Sequence, residues 1–134
     1  MTRAAVFIAE GFGLGRLPFA PGTFGSLLGV LWFLLLLSAG NWWLFMLGSL
    51  AGLAAAVWLC GVAEKELRRA DPGSVVLDEI AALPLGFLGW MWVNYDEASL
   101  AGGLKLLLTG RHAWMLLLVF VLFRVFDILK PWPI

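Results

Sequence analysis

Four long apolar segments occupy most of this chain and leave it little choice of fold. They cover residues 24–40, 42–63, 75–93 and 113–129. A helix needs about 20 mainly apolar residues, with a range of about 17–25, to cross a bilayer. All four segments reach that range, and lipid leaves no partner for backbone polar groups outside regular structure. We therefore predict an all-α, polytopic membrane protein with about four transmembrane helices, forming a single domain over residues 1–134.

The composition supports this class and argues against two others. The 134 residues are 62% hydrophobic and only 13% charged, whereas an ordinary soluble domain is about 25% charged. Nine basic and nine acidic residues cancel, and no basic stripe or RNA-binding motif is present, so we expect no nucleic-acid partner. The first 20 residues contain Glu10 and lack a clean apolar stretch with a cleavage site, which argues against a signal peptide.

The basic residues orient the predicted helices. One side of the bundle collects six of them and the other side only two, and lysine and arginine favour the cytoplasmic side. The six are Arg3, Arg16, Lys65, Arg68, Arg69 and Lys130, and the two are Lys105 and Arg111. We therefore expect both termini in the cytoplasm.

Three polar stretches fall at the same end of the predicted helices. They are residues 18–26 (PFAPGTFGS), residues 77–79 (LDE) and residues 123–133 (FRVFDILKPWP). Charged groups at the ends of membrane segments are costly and usually have a function. The topology therefore predicts one polar site at the cytoplasmic ends of the first, third and fourth helices.

The acidic pair Asp78 and Glu79 has two interpretations. On a helix the two side chains point about 100° apart. They can complement the positive end of a helix, which is worth about 0.3–1 kcal/mol each. They can also bind Mg²⁺, which typically takes one or two carboxylates together with waters and substrate phosphate. We favour a metal or catalytic role, because the dipole benefit is too small to offset the burial of both carboxylates in a membrane.

Two further basic and acidic groups lie in the last segment. Arg124 and Asp127 are three residues apart and share a helix face. They can form an ion pair that keeps the helix in the membrane, and they can also serve as a phosphate clamp and a metal ligand. Lys130 would ordinarily extend its amine towards water. These interpretations do not exclude one another.

The first polar stretch is a turn-rich entry into a helix. Pro21-Gly22 predicts a turn, and Thr23 predicts an N-cap. Backbone N–H groups at a helix start, with Gly22 and Gly25 permitting close approach, can bind an anion. Plain capping is the alternative.

Small residues predict how the helices pack. Gly40-Asn41 predicts a tight turn, so the first two helices form a hairpin. Two pairs of glycines have GxxxG spacing, which allows backbones to approach closely. They are Gly25 with Gly29, and Gly48 with Gly52.

Covalent catalysis has no support in the sequence. There is no GxSxG motif, no HExxH motif and no cysteine pair. Cys60 has no basic neighbour that would activate a thiol. His112 is isolated from the polar stretches, and we interpret it as an interfacial residue. The residues alone favour a metal-assisted reaction on a phosphorylated, membrane-embedded substrate.

Three motifs of the chain resemble a known family. GFGLGRLPFAPGTFGS, SVVLDEIAALPLGF and FRVFDILKPWPI look, in this order, like motifs of the bacterial phosphatidylglycerophosphatase A family. The resemblance implies a phosphoric monoester hydrolase of the inner membrane. It implies Mg²⁺-dependent removal of the terminal phosphate from phosphatidylglycerophosphate, giving phosphatidylglycerol.

The resemblance also implies roles for single residues. Asp78, Glu79 and Asp127 match the acidic positions, which implies a catalytic role and metal binding. The positions implied to bind substrate phosphate are Arg124, Lys130, Pro21, Gly22, Thr23, Gly25 and Ser26. The attacking group stays open between a metal-bound hydroxide and a water activated by a carboxylate.

Two other functions remain open. Members of the family usually continue past the KPWPI motif, whereas this sequence ends at Ile134. One alternative is therefore a non-catalytic or partner-dependent membrane module, such as a transporter-like subunit or a homologue that completes its site as a homo-oligomer. A synthase acting on a CDP-lipid is a weaker option. Such enzymes need a spaced series of aspartates on one segment, and the membrane segments offer only Asp78 and Asp127.

Overall fold

A computed structural model describes residues 2–69, 72–94, 105, 107–108 and 112–129. Every regular element in those ranges is helical, as predicted. The helices are α1 (Thr2–Ala9), a 3-10 helix (Leu14–Arg16), α2 (Pro21–Ser38), α3 (Trp42–Leu67), α4 (Leu77–Gly86), α5 (Leu88–Asn94) and α6 (Ala113–Leu129). Arg111, Lys130 and the end of the third polar stretch lie outside the described residues.

Helices α2 and α3 are long and apolar enough to cross a membrane, judged by length and composition. They form the predicted hairpin. Gly40 has φ +65°, a conformation that glycine adopts without strain. The side chain of Asn41 caps α3 by accepting hydrogen bonds from the backbone N–H groups of Trp43 and Leu44, at 2.9 and 3.1 Å.

The third apolar segment forms two helices, which corrects the prediction of one continuous helix. Helix α4 ends at Gly86 and α5 begins at Leu88. Pro84 lies inside α4 and has no N–H to donate to the preceding turn. The N–H of Phe87 then bonds the carbonyl of Pro84 at 3.1 Å, which closes a tighter turn and ends α4.

The start of α2 also differs from the prediction. The helix begins at Pro21, and Ala20 occupies the N-cap position with φ +43°. Thr23 therefore lies inside the first turn, and its assignment as the N-cap is wrong. Proline is well suited to the first helical position, because the N–H that it lacks would have no helical partner there.

The glycine pairs pack helices together, as predicted. A Cβ atom added at Gly29 would lie 2.9 Å from the Cβ of Leu83 on α4. A Cβ added at Gly48 of α3 would lie 2.5 Å from a methyl group of Leu36 on α2. Helix α2 therefore lies close against both α3 and α4.

An aromatic core holds the end of the bundle that contains the α2–α3 turn. Phe33, Phe45 and Phe87 are fully buried. The rings of Phe33 and Phe87 stack with their centroids 4.0 Å apart, and Phe45 meets Phe33 edge-on at 6.0 Å. This core fixes α2, α3 and the α4–α5 break relative to one another, so the opposite ends of α2 and α4 are also held together.

Candidate functional site

The structure brings the three polar stretches together. Helices α2 and α4 begin at the end of the bundle opposite the aromatic core, and α6 reaches it near its last turn. Glu79 Oε2 lies 3.0 Å from Arg124 Nη1 and 3.2 Å from Ser26 Oγ. One carboxylate thus joins the first, third and fourth segments, and the predicted convergence is confirmed for the residues that are described.

Arg124 bridges two carboxylates. Its Nη1 donates hydrogen bonds to Glu79 Oε2 at 3.0 Å and to Asp127 Oδ2 at 2.6 Å. The side chains of Arg124 and Glu79 are only 15% and 13% exposed. The intrahelical pair of Arg124 and Asp127 was predicted and is confirmed. With both carboxylates ionised, the three groups carry an uncompensated negative charge, which favours the binding of a cation.

Arg124 retains hydrogen-bonding capacity towards a ligand. Its Nε is buried, and no hydrogen-bond partner for it exists in the described part of the chain. A guanidinium presents its N–H groups as a planar fork that matches phosphate oxygens. We call Glu79, Arg124 and Asp127 the acidic cluster below.

Gly22 lies directly against the acidic cluster. A Cβ atom at this position would be 2.6 Å from Glu79 Oε1 and 2.8 Å from Arg124 Nη1. At Gly25 a Cβ would be 3.3 Å from Glu79 Oε2 and 2.8 Å from the Cβ of Val76. The two glycines of the first polar stretch therefore allow the start of α2 to contact the charged groups.

Ser26 completes the contact between α2 and Glu79. It is fully buried, and its Oγ lies 2.9 Å from the carbonyl oxygen of Gly22 and 3.2 Å from Glu79 Oε2. One hydroxyl proton can be donated to either acceptor. Pro21 and Thr23 are half-buried in the same turn of α2.

Asp78 lies on a different face of α4 from Glu79. It is exposed, and it acts electrostatically on Cys60 of α3, whereas Glu79 faces α2 and α6. Within the described ranges, no three acidic, histidine or cysteine side chains are close enough to hold one metal ion. The structure thus brings together two of the three carboxylates that the motifs single out, and metal binding by Asp78 stays a prediction.

His112 lies far from the acidic cluster, as expected. It precedes α6, whereas Arg124 and Asp127 are near the other end of that helix. His112 Nδ1 accepts a hydrogen bond from Trp90 Nε1 at 3.2 Å. The charged neighbours of Cys60 are both acidic, Asp78 and Glu64, so no basic side chain among the described residues activates its thiol.

The sequence analysis missed a second buried carboxylate. Glu10 is 4% exposed, and Arg16 Nε donates a hydrogen bond to its Oε2 at 2.7 Å. An acidic residue inside an apolar stretch, with an arginine six positions later, was the available signal. In the sequence, Glu10 argues against a signal peptide and Arg16 indicates the cytoplasmic side, and neither signal pairs the two residues.

These features define a class of protein: an apolar, all-helical protein with candidate membrane-spanning helices and a charged cluster at one end of its bundle. Comparison with known proteins makes the assignment specific. The chain belongs to the phosphatidylglycerophosphatase A family, whose family model matches residues 7–134. The resemblance seen in the three motifs is therefore confirmed.

Individual relatives agree with the family assignment. A phosphatidylglycerophosphatase A of Escherichia coli (strain K12) is 36% identical over 128 residues, covering 95% of this chain and 63% of the relative. The protein of the same name from Haemophilus influenzae is 33% identical over 134 residues, covering 95% of this chain and 67% of the relative. A relative from Bacteroides thetaiotaomicron is 35% identical over 134 residues, covering 94% of this chain and 71% of the relative. Its name is "Putative phosphatidylinositol-3-phosphatase".

The chain spans less than two thirds of the length of the Escherichia coli relative. No solved structure matches it.

Proposed function

We propose that this chain is a Mg²⁺-dependent lipid phosphatase that hydrolyses phosphatidylglycerophosphate to phosphatidylglycerol and phosphate. The observation that carries the proposal is the bridge that Arg124 makes between Glu79 and Asp127, against the start of α2. It combines phosphate-binding and acidic groups in a member of a family named for this reaction.

Arg124 and the start of α2 bind the terminal phosphate of the substrate. The buried Nε of Arg124, which lacks a partner among the described residues, donates to a phosphate oxygen together with one of its neighbouring N–H groups. Gly22 and Gly25 bring the first turn of α2 against the acidic cluster, where the positive end of the helix favours a bound phosphate. Pro21, Thr23 and Ser26 shape that turn, and Lys130 is a further predicted phosphate ligand.

Glu79 and Asp127 are the residues that would hold Mg²⁺, with Asp78 as a third predicted ligand. The donor set fits this ion, because Mg²⁺ is usually bound by one or two carboxylates, waters and substrate phosphate. Both carboxylates pair with the same guanidinium, that of Arg124, so its one positive charge does not balance their two negative charges. When bound, Mg²⁺ supplies charge neutralisation at the phosphoryl oxygens.

The reaction is an attack of water on phosphorus. A bond forms between the water oxygen and phosphorus, the phosphate ester bond breaks, and the released alkoxide of the lipid takes up a proton. A carboxylate of the acidic cluster, Glu79 or Asp127, accepts the proton of the attacking water. Ser26 orients Glu79 by donating a hydrogen bond to it.

The proposed topology has four membrane passages with both termini in the cytoplasm. Helices α2 and α3 supply two passages, α4 with α5 supplies one, and α6 supplies the last. Arg68 and Arg69 follow α3 at the end of the bundle where α4 begins, and basic residues favour the cytoplasmic side. The acidic cluster then faces the cytoplasm at the inner membrane.

A reporter fused after residue 134 should read cytoplasmic, and a periplasmic reading would contradict this topology.

Phosphate release by the purified chain in mild detergent tests the reaction. We expect release from phosphatidylglycerophosphate with Mg²⁺ and little release after chelation. Phosphatidylinositol 3-phosphate is the comparison substrate, because one relative carries that substrate in its name. Equal release with and without Mg²⁺ would contradict the metal requirement. No release from folded protein would contradict the reaction and favour a non-catalytic or partner-dependent module.

A further inference from the structure

An open apolar groove lies beside the acidic cluster. It has a volume of about 470 Å³, and helices α1, α2, α3 and α4 all contribute to its walls. Leu28, Leu31 and Leu35 form one wall, Ala55 and Leu59 the other, and Ile80 lies at the α4 side. None of the described residues that line it carries a charge.

The groove runs along helices that can cross a membrane. Its two long walls belong to α2 and α3, the candidate spans. From Leu28 to Leu35 the wall of α2 extends about 10 Å at the rise of an α-helix. The groove therefore leads from the polar end of the bundle into its apolar length.

Val76 lies close to both the groove and the acidic cluster. Val76 is 1% exposed. Near Gly11 it lies beside two groove residues, since a Cβ added at Gly11 would be 2.8 Å from Val76 Cγ2, 3.4 Å from Ile80 Cδ1 and 3.8 Å from Leu28 Cδ1. Val76 and Glu79 Oε2 together also contact Gly25. The groove and the charged site are thus adjacent.

We propose that the groove binds one acyl chain of the phospholipid whose phosphate is bound at the acidic cluster. The identity of that phospholipid rests on the proposed function. The volume lies within the range of about 300–1,000 Å³ that is typical of ligand pockets, which are mostly apolar. A helix is about 10–12 Å across, so the groove has room for only about one turn of a helix from a second copy.

Filling the groove tests this assignment. Ala55→Trp places an indole in the groove from an exposed position of α3. Ala54→Trp is the matched control, since Ala54 is also exposed on α3 and does not line the groove. Neither residue belongs to the acidic cluster.

The first measurement compares long-chain phosphatidylglycerophosphate with a short-chain, water-soluble analogue. For Ala55→Trp we expect KM for the long-chain lipid to rise about tenfold, the effect of losing roughly two buried methylene groups. KM for the short-chain analogue and kcat for both should be unchanged, as should all constants of Ala54→Trp. Equal changes for both substrates, or no change for either, would overturn the proposal.

The second measurement does not depend on turnover. A phosphatidylglycerophosphate analogue with a photoreactive acyl chain, in phosphatidylcholine vesicles, should label the groove walls on α2 and α3. Unlabelled phosphatidylglycerophosphate should compete, and Ala55→Trp should reduce this labelling while Ala54→Trp does not. Labelling without hydrolysis would contradict the proposed reaction and still support the groove as an acyl-chain site. Unreduced labelling in Ala55→Trp, or a change of its oligomeric state in detergent, would overturn the groove assignment.

Discussion

The described part of the chain contains two shielded carboxylate–arginine interactions, and they are built differently. Glu10 and Arg16 are six residues apart, one carboxylate meets one guanidinium, and the arginine is 64% exposed. In the acidic cluster two carboxylates meet one guanidinium, the groups come from α4 and α6, and Arg124 is only 15% exposed.

The comparison indicates that the Glu10–Arg16 pair stabilises a loop, whereas the acidic cluster can bind a ligand. The carbonyl oxygen of Glu10 accepts hydrogen bonds from the backbone N–H groups of Gly13 and Gly15, so its side-chain pair closes a local turn. The acidic cluster has an excess of carboxylate and a buried donor, Arg124 Nε, without a partner in the described ranges. It therefore has unused capacity for both a cation and an anion, whereas the Glu10 pair is internally balanced.

The largest expected effect is the loss of activity in Glu79→Gln. The amide keeps the shape of the side chain but removes its charge and its ability to accept a proton. A positioned acid or base contributes about 10²–10⁴-fold to a rate. We therefore expect the rate of phosphate release to fall by about 10²-fold or more. The matched variant is Glu10→Gln, which should retain the wild-type rate. Similar losses in both variants would remove the distinction between the two interactions.

Arg124→Ala should destabilise the fold more than Arg16→Ala. Removing one partner of a buried ion pair lowers the free energy of unfolding by about 3–5 kcal/mol. Arg124→Ala removes the arginine partner of both Glu79 and Asp127. Arg16→Ala leaves one buried acceptor, for which about 1–3 kcal/mol is expected. Thermal unfolding in detergent measures both variants. The comparison fails if Arg16→Ala lowers the melting temperature more.

Gly22→Ala tests the close contact between α2 and the acidic cluster. The added methyl group would lie 2.6 Å from Glu79 Oε1, which is the end of a flexible side chain, so we expect the lower end of the about 1–3 kcal/mol that overpacking costs. Gly61→Ala is the control, because nothing lies within 4 Å of a Cβ at that helical position. Gly22→Ala should lower both the melting temperature and the rate of phosphate release, whereas Gly61→Ala should lower neither. Wild-type behaviour of Gly22→Ala would show that the contact has no importance.

The smallest expected effect among these changes is that of Asp78→Asn. Asp78 is exposed and lies outside the acidic cluster, so we expect a rate loss of about tenfold, equivalent to about 1.4 kcal/mol. Phosphate release at saturating Mg²⁺ measures it beside Glu79→Gln. A loss as large as that of Glu79→Gln would show that Asp78 contributes as much as Glu79 to the predicted Mg²⁺ site.

Local signals in the sequence predicted α2, α3 and α6 and the end of the bundle at which the site lies, but not α1 or the division between α4 and α5. The length and apolar composition of a segment, and the Gly40-Asn41 turn, are local properties of the sequence. Because successive membrane helices run in opposite directions, they then place the three polar stretches at the same end of the bundle. The i,i+3 spacing was also sufficient to pair Arg124 with Asp127.

Contacts between distant segments could not be predicted in this way. Which of the two adjacent carboxylates faces Arg124 depends on the rotation of α4, and the packing of Gly25 and Gly29 against that helix determines it. The break at Phe87 depends on Pro84 together with the stacking of Phe87 on Phe33. The pairing of Glu10 with Arg16 depends on a loop whose left-handed residues include Phe12, a residue type with no preference for that conformation.

The central claim is that the acidic cluster is a Mg²⁺-dependent phosphatase site. The most direct test is the rate of phosphate release from phosphatidylglycerophosphate as a function of Mg²⁺ concentration, in the wild-type chain and in Asp127→Asn. The account predicts saturable activation of the wild type, and a variant that requires much more Mg²⁺ while remaining folded. A wild type that is indifferent to Mg²⁺, or an unchanged titration curve in Asp127→Asn, would contradict it.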